Sequence, residues 1–384
     1  MRRIYLDHTA TTPLDPRVFE TMLPYFSETF GNASSIHSYG QQAKIALEKA
    51  RETIAHAIGA ESGEIFFTSG GTESDNFAIK GVAFAGGKKG KNHIVTSSAE
   101  HHAVLEPCES LRDDGYDVTV LPVDGNGLTS AEQVKASVTE ATCLVSIMHA
   151  NNEVGSISRI REIAAAAHER GALVHTDAVQ SAGRIPVNVT DLDVDLMTLS
   201  SHKMYGPKGI GAIYVRRGTD IEPLLQGGGQ ERGKRPGTEN VPLAVGFAKA
   251  IALAVAEMPE ESRRLAALRD CLRKRITEFF PQVLMNGHPT ERLPHILNIS
   301  FDSRKTSLEG EMLLMNMDLR GIAVTSGSAC TSGSMQPSHV LLAMGRDART
   351  AKATIRFAFG KSNTEEDVEY VIDSLREILR QMTS

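Results

Sequence analysis

Cysteine is scarce in this chain: Cys108, Cys143, Cys271 and Cys330 are its 4 cysteines in 384 residues. None falls in a CxxC, which excludes a zinc ribbon, and such scattered thiols make no disulfide framework. Both absences fit a reducing, cytoplasmic setting. A basic balance is missing too. The formal net charge is -6, which excludes capture of nucleic acid by bulk electrostatics. Lys88-Lys89-Gly90-Lys91 reads as a solvated loop. No apolar core follows Met1-Arg2-Arg3, so no signal peptide is expected. The longest apolar-rich stretch, Val241 to Met258, carries Lys249 and many alanines; it reads as a buried helix, and no segment is expected to reach membrane-spanning length. Neither a GxGxxG nor a Walker A loop is present, which disfavours dinucleotides and ATP.

What is present is ordinary core-forming material: 41% apolar and 23% charged residues, enough for one large α/β unit with an appended domain. Apolar strand-like runs recur at 65–67, 93–95, 118–120, 144–147, 172–175, 196–199 and 211–215. Helix-length segments such as 72–84, 131–137 and 160–170 separate most of them. This alternation predicts an α/β fold with a mostly parallel sheet covered by helices on both faces. An amphipathic helix is expected over 41–58, closed by Gly59. After a long helical segment over 242–278, the runs at 296–301 and 353–359 alternate like antiparallel strands, and a last helix starts near Thr364. These predict a smaller α+β domain, joined by the N-terminal segment.

Ligands of such sheets bind beyond the carboxyl ends of the strands. There, Lys203 stands in Ser200-Ser201-His202-Lys203, between a buried strand and a Gly/Pro turn, a poor place for an idle surface lysine. Thr68-Ser69-Gly70-Gly71-Thr72 opens a helix and offers a phosphate cradle, although a plain turn capped by threonine is as good a reading. His101 and His102 are adjacent and make a poor metal pair, so no metal site is expected; His101 either stacks on a ring and moves protons or is merely structural. Asn151-Asn152-Glu153 supplies an amide. Asp177 is a carboxylate or a helix N-cap, and shares a face with Gln180 if a helix begins there. One guest satisfies a lysine, a carboxylate and a phosphate cradle together: pyridoxal 5′-phosphate.

Read in order, Leu6-Asp7, Ala10-Thr11-Thr12-Pro13, Thr68 to Asn76, Glu100-His101, Asn151-Asn152-Glu153, His175 to Gln180, Ser200 to Lys203, Arg235-Pro236-Gly237-Thr238, Ser326 to Ser332 and Ile355-Arg356-Phe357 resemble the NifS/IscS-type cysteine desulfurases, fold-type I enzymes dependent on pyridoxal phosphate. The resemblance covers essentially the whole chain. It implies Lys203 as the Schiff-base lysine, Asp177 on the pyridinium nitrogen and His101 on the ring. It implies Asn152 and Gln180 as ring-oxygen partners and Gly71, Thr72, Ser200 and His202 on the phosphate. Thr238 would reach the phosphate of the other subunit of a homodimer. Arg356 would hold the substrate carboxylate, with Asn32 as a second contact, and Cys330 would be the nucleophile. His8-Thr9 and Asn32-Ala33 replace the family's commoner Asn-Ala and Asn-Pro.

The implied activity converts L-cysteine to L-alanine and leaves a persulfide on Cys330. The persulfide would pass to a protein acceptor, an iron–sulfur scaffold or a tRNA thiolase, with no direct contact to nucleic acid or membrane. The expected division is a cofactor-binding domain over 16–255, and a small domain of 1–15 and 256–384 that carries Cys330. An aminotransferase or β-lyase would need the same lysine, and a non-catalytic sulfur-handling partner could keep the fold without the chemistry.

Overall fold

The computed structural model describes residues 2–306, 308–327 and 336–383. Its strands are β1 (Ile4–Tyr5), β2 (Ile65–Thr68), β3 (His93–Ser97), β4 (Asp117–Leu121), β5 (Thr142–Ser146), β6 (Leu173–Asp177), β7 (Leu196–Ser200), β8 (Gly211–Val215), β9 (Val283–Asn286), β10 (Ile296–Phe301), β11 (Ile322–Ala323) and β12 (Thr354–Ala358). A 7-stranded sheet has the order β2-β8-β7-β6-β5-β3-β4. Only β8 runs against the rest, pairing antiparallel with both β7 and β2. That reversal follows from the connection. Residues 201–210 contain no crossover helix, and a short link can join only antiparallel neighbours.

Period-2 alternation decides which residues meet which layer. Val95, Val145, Val174, Met197 and Ala212 face one core, built with the helices Ser38–Ala57 and Val241–Phe279. Ile94, Leu144, Leu196 and Ile213 face the other, under the helix Gly71–Gly87. Both faces are covered, so the strands read as continuous apolar runs. The sheet order reverses between β3 and β5, since β4 lies outside β3. A crevice opens there at the carboxyl ends.

The remaining strands form a separate layer. β12-β10-β9 is antiparallel, and β1 pairs parallel with β11. Bridges from Asp7 to Ala358 and from Thr325 to Arg356 bind the two sets together. Leu6, Leu297, Ile299, Phe357 and Leu375 share their core. The helix Val241–Phe279 enters both bodies: Val241 to Ala254 pack in the large core, Leu265 to Ile276 in the small one. The expectation that no segment reaches membrane-spanning length is corrected here. This helix of 39 residues is long and apolar enough to do so, because its stripes serve two cores in succession. It is a core helix by its packing.

Other elements differ from the sequence reading. The helix His102–Asp113 was not expected, since Pro107 interrupts its pattern. The helix Gly310–Leu319 leaves Met312, Met315 and Leu319 exposed, which blurs its apolar stripe. No helix begins at Asp177. It ends β6, and its Oδ1 accepts from the Val179 amide at 2.8 Å, a side-chain turn in place of a helix cap.

Candidate active site

The crevice holds a cavity of about 420 Å³ lined by residues that end or follow β2, β3, β5, β6 and β7, by Thr9 and Ala10 of the N-terminal turn, by Thr325 and Gly327 after β11, and by Arg356 of β12. Its size suits a cofactor or small ligand. Lys203 closes a single 3-10 turn, Ser201–Lys203, directly after β7. Its Nζ donates to the carbonyls of Thr9 at 2.5 Å and Ala10 at 2.8 Å. Burial disfavours its charged form, and the Arg356 guanidinium adds to this, so the amine falls to about 8 despite Asp177 and Asp7. A lysine in this state supplies free amine near neutral pH.

Asp177 lies 8% exposed. Burial pushes its carboxyl up to about 6, opposed by the Val179 amide and the Lys203 charge. A carboxylate desolvated this far is suited to a protonated ring nitrogen. Asp75, 1% exposed, lines the same cavity, and its Oδ1 lacks a hydrogen-bond partner. The His101 ring opens onto the cavity. Its Nδ1 accepts from the Ala103 amide at 3.0 Å. Loss of water and the nearby Lys203 charge hold this imidazole down at about 4. It is therefore neutral, with its proton on Nε2.

Gly71 and Thr72 open the helix Gly71–Gly87, where unpaired amides and the helix dipole favour an anion. A side chain at Gly71 would put its Cβ 3.1 Å from Val179, so only glycine leaves this corner open. Ser200 Oγ is buried without a partner among the described residues, an orphan hydroxyl waiting for an acceptor. His202 Nδ1 is 3.1 Å from Thr11 Oγ1, and burial lowers its imidazole to about 4. Gln180 donates to the Thr9 carbonyl at 3.1 Å, and Asn152 also lines the cavity. The unpaired Ser200 hydroxyl, the open glycine corner and the buried carboxyl opposite a lysine fit pyridoxal phosphate.

Arg356 points from β12 into the crevice while Ile355 and Phe357 fill the small core. Its guanidinium donates to Asp7 Oδ1 at 2.7 Å and to the Asn152 carbonyl at 3.0 Å, and its Nε has no partner among the described residues. The sequence reading gave no role to Asp7, or to the carbonyls that tether Lys203. Their signal was available in the Leu6 to Pro13 motif.

Two expected residues stand apart. Asn32 caps its own loop, with Oδ1 accepting from the Ser34 amide at 2.9 Å. Thr238 is exposed, and neither is among the cavity-lining residues. Cys330 lies outside the described residues. Cys108 and Cys143 are buried, with burial raising their thiols to about 12 and about 11, and Cys271 is half-buried. None of these three lines the cavity.

Comparison with known proteins places this geometry. The Aminotransferase class-V family model matches residues 4–371. The cysteine desulfurase IscS of Dictyoglomus turgidum is 51% identical over 381 residues, covering 99% of this chain and 95% of that one. A solved structure described as a NifS-like protein is 40% identical with a TM-score of 0.92, over 99% of this chain and 100% of the other. Another, SspA in complex with cysteine, is 38% identical with a TM-score of 0.81, over 93% and 98%. The agreement in sequence, length and backbone is sufficient: the chain belongs to the class-V aminotransferase family.

Proposed function

We propose that the chain is a pyridoxal-phosphate-dependent cysteine desulfurase that turns L-cysteine into L-alanine and hands the sulfur to acceptor proteins for iron–sulfur cluster synthesis. The observation that carries the cofactor is Lys203, a half-buried amine lowered to about 8, set in one cavity with Asp177, His101 and Arg356. Relatives named cysteine desulfurase, and a neighbour solved with cysteine, support the substrate.

Lys203 would carry the cofactor aldehyde, Asp177 its ring nitrogen, Asn152 and Gln180 its ring oxygen, and His101 its ring face. Gly71, Thr72, Ser200 and His202 would take its phosphate, with the Thr238 of a second copy. The cofactor supplies an electron sink for charge developing at the substrate Cα. Arg356 binds the substrate carboxylate through its planar fork, held in orientation by Asp7 and the Asn152 carbonyl. Asn32 is a second contact only if a conformational change or a second copy brings it near. Lys203 Nζ would be the base that takes the Cα proton. His101, with its Nε2–H facing the cavity, would donate a hydrogen bond that steadies the reacting thiolate.

Cys330 as thiolate attacks the substrate sulfur. An S–S bond forms and the substrate C–S bond breaks, its electron pair going to carbon, which is protonated to give alanine. Cys330 ends as the persulfide. A homodimer is supported by the exposed Thr238, which has no role in its own cavity, and by the apolar side chains exposed between Phe19 and Ile45. Transfer to a tRNA thiolase is a second use of the same persulfide. A reducing, cytoplasmic setting is supported by the free thiols of Cys108, Cys143 and Cys271.

Product analysis tests the reading. Purified protein given cysteine and a thiol reductant should form alanine and sulfide in equal amounts. Pyruvate and ammonia would show a β-lyase, and conversion only with an added keto acid would show an aminotransferase.

A further inference from the structure

The segment that carries Cys330 is flanked by Gly327 and Ser338. Its two ends meet at one side chain. Glu153, 2% exposed, follows Asn152 at the rim of the crevice. Ser338 Oγ donates to Glu153 Oε2 while accepting from the Leu341 amide at 3.1 Å, so the hydroxyl has both a donor and an acceptor satisfied. On the other side, Gly327 lies flat on the same carboxyl. A Cβ there would sit 2.7 Å from Oε2 and 3.1 Å from Cδ, and its φ of +100° is closed to ordinary side chains.

The carboxyl is itself fixed. The Glu153 amide donates to Asn151 Oδ1 at 2.8 Å and its carbonyl accepts from Asn298 at 3.0 Å. A parallel bolt holds the next residue, since His339 Nε2 donates to the Glu100 carbonyl at 2.9 Å, beside His101. On the outgoing side, the Arg356 amide donates to the Thr325 carbonyl at 2.6 Å. Glu153 also adjoins the substrate arginine through Asn152, whose carbonyl takes an Arg356 hydrogen bond. One carboxyl thus sets both ends of the segment relative to Arg356.

We infer that Glu153 is a positioning residue for sulfur transfer: it fixes the two ends of the Cys330 segment against the substrate site through Gly327 and Ser338. The inference rests on Cys330 being the nucleophile. Glu153 is not among the cavity-lining residues, so its effect should fall on the attack step and not on binding.

The test uses the holoenzyme. Glu153→Ala should lower kcat for alanine formation about ten- to a hundredfold, with KM for cysteine and the cofactor absorption spectrum unchanged. Glu153→Gln should restore most of the rate, because an amide oxygen still accepts from Ser338. Ser338→Ala should lower kcat in the same way, and the double variant with Glu153→Ala should be no worse than Glu153→Ala alone. A Glu153→Ala enzyme with the normal kcat overturns the inference. So does one that loses cofactor or cysteine affinity in step with rate, an unrescued Gln variant, or additive losses in the double variant. Cys330→Ala separates the two claims: normal desulfuration by that variant refutes the nucleophile, whatever Glu153 does.

Discussion

Lys203 and Asp177 are each tuned by burial. The lysine amine is lowered to about 8, so the fraction able to capture an aldehyde rises as pH increases through that value. Capture of pyridoxal phosphate by cofactor-free protein, followed by absorbance, should reach half its limiting rate near pH 8. A midpoint near the ordinary lysine value would contradict the desolvated site. Asp177 has the opposite linkage. Its carboxyl is raised to about 6, so above the unfolded value the native state holds the proton more tightly, and stability falls as pH rises toward 6. Asp177→Asn removes that buried charge while keeping an oxygen for the Val179 amide. The cofactor-free variant should be at least as heat-stable as the parent at pH 8, yet about a hundredfold or more slower in turnover. Lower thermal stability or unchanged turnover would show that the carboxylate does not have this role.

At the scale of elements, the loop that leads to Thr238 hangs on a buried ion pair. Arg51, from the helix Ser38–Ala57, donates to both oxygens of Glu231 at 2.7 and 2.8 Å, and the Phe67 amide adds a third bond at 2.9 Å. Arg51 is 2% and Glu231 5% exposed. Glu231→Ala would strand a buried guanidinium, and denaturant unfolding should show a loss of about 3–5 kcal/mol; a change under 1 kcal/mol would contradict it. Strands β2, β3, β5, β6 and β7 were legible because their buried faces make continuous apolar runs. The helix His102–Asp113 was not, since Pro107 breaks its periodicity. The site shows the same division. Residues at strand ends announce themselves by local motif, whereas Asp7 meets Arg356 across 349 residues and Glu153 meets Ser338 across 185. Pairings that distant leave no local period to read.

The whole molecule presents a surface that is poor for a monomer. Phe26, Phe30, Tyr39 and Ile45 are 58%, 63%, 54% and 56% exposed, and the Phe30 and Tyr39 rings lie 5.7 Å apart. Apolar area of this kind marks an association face. For the proposed homodimer, sedimentation should give twice the 41.5 kDa chain mass, and Phe30→Asp should shift it toward monomer and, with Thr238 of a second copy proposed on the phosphate, weaken cofactor retention. A wild-type monomer that holds its cofactor would contradict the dimer. On the proposed reading, each turnover ends with sulfur on the enzyme's own chain. Intact-mass analysis after a single turnover with cysteine measures this directly. One added sulfur is expected, on Cys330 by peptide mapping, and none on Cys330→Ala; alanine formation with no sulfur on the wild-type chain would contradict the account.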